Sequence, residues 1–245
     1  EIIMFWNLVR YEFKNVNKWY LALYGAVLAL SALIGVQASS LKSIDTPDQQ
    51  MIMLVFLALV FGGLIITLSI STLILIIRRF KGSVYDRQGY LTLTLPVSEH
   101  QIILSKLLGA FIWSLISSAV FFLSIYIIFA TIDPNMVDSY FFDYLFVHYI
   151  DNFWLTLISF FISTVAGILC IYLSISIGQL FNEYRTALAV LAYIVIHIVL
   201  GFVDIFSPSL NYSMMMSAEI FKNLILSAVF YLGTYYILKN KVNLQ

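Results

Sequence analysis

Six stretches of this chain are each long and apolar enough to cross a hydrocarbon layer, and nothing else in the sequence constrains the fold as strongly. A spanning helix needs roughly 20 predominantly apolar residues. The stretches cover residues 19–37, 51–77, 107–131, 153–181, 187–206 and 221–238. A membrane β-barrel would instead show segments of alternating polarity about 10 residues long, and none are present. Composition points the same way, with 62% hydrophobic and 11% charged residues, against roughly 45–50% and about 25% in a globular domain. The expected fold is therefore all-α, a single six-helix transmembrane domain over residues 1–245.

The formal net charge is zero, from 13 Lys and Arg against 13 Asp and Glu. A nucleic-acid binder would need a net basic face, so nucleic acid is not an expected partner. The distribution of those charges says more than their sum. Arg10, Lys14 and Lys18 precede the first stretch, and Arg78, Arg79, Lys81, Arg87 and Lys106 lie between the second and third. Arg185 lies between the fourth and fifth, and Lys239 and Lys241 follow the sixth, leaving only Lys42 and Lys222 for the opposite side. The positive-inside rule then puts both termini in the cytoplasm of a multi-pass protein of the cell membrane. No short apolar core ends in a small-residue cleavage site near the first residue, so no cleavable signal peptide is expected.

The connecting segments carry their own signals. Residues 2–18 read as an amphipathic interfacial helix, with Ile2, Phe5, Trp6, Val9, Phe13 and Val16 on one side and Asn7, Arg10, Lys14 and Asn17 on the other. It serves either as an anchor or as a lever passing on motion. Residues 78–106 form the longest cytoplasmic segment, in which Pro96 disfavours helix at the residue before it and Ser98 offers an N-cap for a helix leading into the third span. A short helix, a break and a second helix are expected there. Residues 140–154 (YFFDYLFVHYIDNFW) are outer and aromatic, an interfacial helix or a lateral gate.

Enzyme chemistry finds little purchase. The chain lacks a P-loop, an HExxH pair and a GxSxG elbow. Its single cysteine, Cys170, excludes an internal disulfide and reads as a small buried hydrophobe. No metal site is expected. His197 alone among three histidines sits mid-span, and without an acid at its depth it reads as a neutral ring bonded to a neighbouring helix rather than a proton relay. Small residues recur at four-residue spacing at Gly63, Thr67 and Ser71, at Ala110, Ser114 and Ser118, and at Ser163 and Gly167. They read as ridges for close helix packing, or alternatively as a polar stripe. Thr67 and Ser71, with Tyr193 and His197, are the candidates for lining a pathway.

Six spans, an amphipathic N-terminal helix and the stretch YDRQGYLTLTLPVSEHQIILSKLLGA together resemble the membrane subunit of type-2 ABC exporters. The residues carrying the resemblance are Asp86, Gly89, Leu93, Leu95, Pro96, Val97, Ser98, Ser105, Lys106, Leu107 and Leu108. Within that family the chain is similar to the small bacterial branch of phenol-soluble modulin and antimicrobial peptide exporter permeases, and its short outer segment of about residues 207–218 departs from the large lipid exporters of this architecture. The resemblance implies a permease that is not itself an enzyme and holds no cofactor, ATP and Mg being bound by a separate ATPase subunit. It implies a second permease chain, identical or paralogous, and an amphipathic or hydrophobic cargo moved by alternating access. ATPase coupling would fall to Val84, Tyr85, Asp86, Arg87, Gly89 and Tyr90, with Glu183, Tyr184 and Arg185 as a second contact. The competing expectation is a membrane protein without a transport cycle, such as a bacteriocin-immunity or structural protein. An intramembrane enzyme would need paired catalytic residues that the sequence does not offer.

Overall fold

A computed structural model describes residues 6, 9–10, 18–40, 48–85, 98–132, 152–181, 183–205 and 211–241. Among these residues there is no strand, and six long helices follow one another: α1 (Lys18–Ser40), α2 (Asp48–Val84), α3 (Glu99–Ile132), α4 (Phe153–Gly178), α5 (Arg185–Ile205) and α6 (Tyr212–Lys241). All six are long and apolar enough to cross a membrane. None of these six helices contains a proline, so no backbone donor is missing along any of them.

The helices outrun the apolar windows. α2 continues from Arg78 through Val84, α3 begins at Glu99, and α6 begins at Tyr212 rather than at residue 221. Hydropathy marks where charge begins, whereas a helix ends only where its backbone finds other partners. Within the segment 78–106, residues 78–84 continue α2 and residues 99–106 belong to α3, while residues 86–97, where most of the expected separate short helix falls, lie outside the described residues. The end of the segment agrees with expectation: the Gln101 amide donates to Ser98 Oγ at 3.4 Å and the Ser98 amide to Gln101 Oε1 at 3.3 Å. This reciprocal capping box starts α3. Of residues 2–18, Trp6, Val9 and Arg10 are helical, Val9 buried and the other two exposed; the rest of that expected helix up to Lys18, and most of the aromatic segment 140–154, lie outside the described residues.

Residues group into two compact units. The first takes in Leu75–Phe111 and Trp154–Gln245, and the second Asn15–Ile74 and Ile112–Phe153. In the first unit the core is built around Phe80 and Tyr172, both buried and stacked with centroids 3.9 Å apart at 8°. Ile76, Val84, Ile102, Leu169, Cys170, Ile175, Phe230 and Leu238 pack about them. Polar ties close this unit near both ends of α4: Tyr85 Oη donates to Ser176 Oγ at 2.8 Å, and the hydroxyls of Thr156 and Tyr212 lie 2.9 Å apart. Thr156 and Ser176 are separated along α4 by about 30 Å at the helical rise per residue, the thickness of a bilayer's hydrocarbon core.

The second unit is knit by hydroxyls. Tyr20 Oη donates to the Ser71 carbonyl, while Ser117 Oγ lies 3.0 Å from Tyr24 Oη and 2.9 Å from Thr72 Oγ1. Gly35 lies where any Cβ would collide with the Thr131 side chain. Close approach thus occurs at a glycine outside the anticipated ridges. Gly63 and Gly167 instead have open space where a Cβ would stand, so those positions are not close-packed against neighbours within the chain.

Candidate functional site

The end of α2 is turned inward. Val84 is fully buried and Tyr85 half-buried, its ring edge-on to Phe80 at 6.0 Å. Burial pushes the Tyr85 phenol up to about 12, with the hydrogen bond to Ser176 pulling the other way. A neutral phenol held this way fastens the end of α2 to α4. Val84 and Tyr85 therefore pack the protein's own interior and offer little of their side chains to a partner. Asp86, Arg87, Gly89 and Tyr90 lie outside the described residues.

The turn between α4 and α5 has the opposite character. Leu180, Phe181 and Tyr184 are exposed at 45%, 48% and 78%, and Glu183 and Arg185 are exposed beside them. The turn is nonetheless firmly made. The amides of Leu180 and Phe181 donate to the carbonyls of Ile177 and Gly178, and the Leu188 amide donates to the Tyr184 carbonyl at 2.9 Å. Arg185 Nε donates to the Phe181 carbonyl at 3.2 Å. Lys81 Nζ, one turn before the end of α2, donates to Thr186 Oγ1 at 3.3 Å. Gly178 permits the closeness, because a Cβ there would meet the Arg185 carbonyl and Ala189. Tyr184 holds a left-handed φ of 54°, a conformation that costs a non-glycine residue of order 1 kcal/mol or more and persists only where its surroundings enforce it. Three large exposed side chains beside these hydrogen bonds have the build of a protein-binding anchor.

The sequence missed a cluster joining α3 to α6. His100 occupies the first turn of α3 with its ring stacked on Tyr235 at 4.0 Å and Tyr231 at 5.8 Å. Its Nδ1 lies 2.6 Å from Tyr231 Oη. Lys239 Nζ donates to Tyr235 Oη at 3.1 Å. Tyr231, Tyr235 and Lys239 fall at successive helical turns of α6, a spacing visible in the sequence, but nothing in one sequence links them to a histidine so far away. The remaining motif residues run on into α3, with Ser105 and Lys106 buried, Leu107 half-buried and Leu108 exposed.

The pathway candidates fall into two pairs, one in each unit. Thr67 is exposed and spends its hydroxyl on the Gly63 carbonyl at 2.8 Å, and Ser71 lies one turn further on and is half-buried. On α5, His197 is also exposed; its Nδ1 lies 2.9 Å from the Tyr193 carbonyl and its ring centroid 4.1 Å from that of Tyr193. The expected bond from His197 to a neighbouring helix is thus replaced by one within α5. At the far end of α5, Lys222 Nζ and Asp204 Oδ1 pair at 2.6 Å. A carboxylate in the last turn opposes the helix dipole, and the lysine offsets it. Among the described residues no group of three or more His, Cys, Asp or Glu side chains is placed to hold a metal.

Comparison with known protein families, with curated proteins and with solved structures returned no match.

Proposed function

We propose that this chain is the permease subunit of an ATP-driven exporter, inserted in the bacterial cell membrane with both termini cytoplasmic. In this reading two permease chains, identical or paralogous, work with separate ATPase chains that hold the ATP and Mg. An amphipathic peptide or another hydrophobic compound is moved outward by alternating access. The reading draws on six helices of spanning length, the asymmetric placement of lysine and arginine, and the type-2 ABC exporter resemblance. The observation that carries it is the hydrogen-bonded α4–α5 turn, whose exposed Leu180, Phe181 and Tyr184 offer one aliphatic and two aromatic side chains beside Arg185.

In this reading the coupling residues have different tasks. Val84 and Tyr85 transmit rather than dock, tying the residues that follow α2 to α4 through Ser176 and the Phe80–Tyr172 stack. Asp86, Arg87, Gly89 and Tyr90 keep their proposed part in ATPase coupling. Glu183, Tyr184 and Arg185 are proposed as a second contact, on an exposed turn. Thr67, Ser71, Tyr193 and His197 remain the proposed pathway residues.

Affinity purification of the tagged permease from its native membrane tests this. The expected result is an ATPase subunit recovered with the wild-type chain and largely lost from a Phe181→Ala/Tyr184→Ala variant that still purifies as a folded protein. Unchanged recovery from that variant would remove the turn from the interface. Absence of any ATPase from the wild-type preparation would favour the non-transporting alternative.

A further inference from the structure

α5 is the least buried of the six helices, with Val190, Leu191, Ile194, Val195, Ile198, Val199, Phe202 and Val203 all 48–59% exposed. Within that apolar surface His197 is the one exposed side chain carrying a ring nitrogen. Its depth can be measured along the helix. Thr186, tied to Lys81, lies roughly 16 Å away toward one end, and Asp204, tied to Lys222, roughly 10 Å away toward the other. His197 therefore sits well inside the span that these two polar ties delimit.

The hydrogen bond of His197 also fixes its chemistry. A carbonyl oxygen can only accept, so Nδ1, 2.9 Å from the Tyr193 carbonyl, must carry the proton. In the neutral ring Nε2 is then a bare acceptor. The Tyr193 ring at 4.1 Å holds the imidazole in place. One turn beyond, Gly201 is exposed, and a Cβ built on it would meet nothing within 4 Å, so the helix surface beside the ring is open to an approaching group. An acceptor held in hydrocarbon without a donor costs about 1–3 kcal/mol. Lipid hydroxyl and amine donors reside at the headgroups, too far from this depth to relieve it.

We infer that the open His197–Gly201 surface of α5 is a binding site for an apolar molecule bearing a single N–H or O–H donor, which it donates to His197 Nε2. The site is selective by donor: an apolar ligand of the same shape without a donor gains the surface contact and leaves the nitrogen unsatisfied. This deepens the proposed function, resting on its membrane-spanning, pathway-lining reading of α5, and it narrows the cargo from any hydrophobic compound to one with a weak polar donor such as an indole or a phenol.

The test needs no ATPase, so the site and the exporter reading can fail separately. The full chain is placed in phosphatidylcholine nanodiscs, whose headgroups carry no donor, and titrated with indole and with N-methylindole, each corrected for uptake by protein-free discs. Indole is expected to bind about tenfold more tightly, the ratio of one net hydrogen bond. It should also shift the His197 Nε2 resonance in histidine-¹⁵N-labelled protein, whereas N-methylindole leaves it in place. His197→Phe should bring indole down to the N-methylindole affinity. Equal binding of the two probes by the wild-type chain, no binding above the empty discs, or an Nε2 resonance indifferent to saturating indole overturns the inference without recourse to any variant.

Discussion

A methyl group added at Gly178 would meet the Arg185 carbonyl and lie 2.7 Å from the Ala189 Cβ and 2.9 Å from its backbone nitrogen. Backbone cannot move aside cheaply, so Gly178→Ala is expected to destabilise the protein by about 1–3 kcal/mol, read as a lower Tm in detergent. Gly63→Ala, with nothing within 4 Å, should leave Tm unchanged or raise it. The two residues look alike in the sequence; only the neighbour one of them touches separates them. Tyr85 is the second residue whose environment sets its behaviour. Its phenol is raised to about 12 in the folded chain from an ordinary value of 10.0, so the folded state holds the proton longer than the unfolded one. The associated stability is present in full below pH 10 and is lost as pH rises through about 12. The Tm difference between wild type and Tyr85→Phe should accordingly be constant up to pH 10 and then shrink. Below that range, losing the Ser176 bond should cost the variant about 1 kcal/mol.

The helices themselves were largely legible, because apolar length and the absence of proline leave a spanning segment no alternative to the helix. Their ends were not. α2 passes beyond Ile77 to Val84 and α6 starts at Tyr212, since charged side chains on a helix surface can reach water without ending the backbone ladder. Ser98 is the exception, as a capping box is a local signal written within four residues. Ser98→Ala should therefore cost about 1 kcal/mol, with faster hydrogen exchange at the Gln101 and Ile102 amides and no change in the middle of α3. The α4–α5 turn is implied as a second contact by the resemblance alone. Its exposure and the left-handed Tyr184 do not follow from the letters NEYRT.

Orientation belongs to the whole molecule. Because Cys170 is the only cysteine and is buried, single reporter cysteines can be read against a silent background. Met215→Cys should react with a membrane-impermeant maleimide in intact cells, and Thr186→Cys only after the cells are opened; the reverse pattern would invert the proposed topology. The order of six spans and the charge asymmetry behind that topology follow from the sequence alone, because both depend only on how much apolar length and how much basic charge each segment carries, sums over neighbouring residues. The inward turn of Tyr85, the His100 cluster with Tyr231 and Tyr235, and the bare acceptor at His197 depend on which side of each helix meets which other helix. Residues more than 90 positions apart come together in the first two, and the third is set by what α5 leaves uncovered. Those choices are made by packing, and only the tertiary structure decides them.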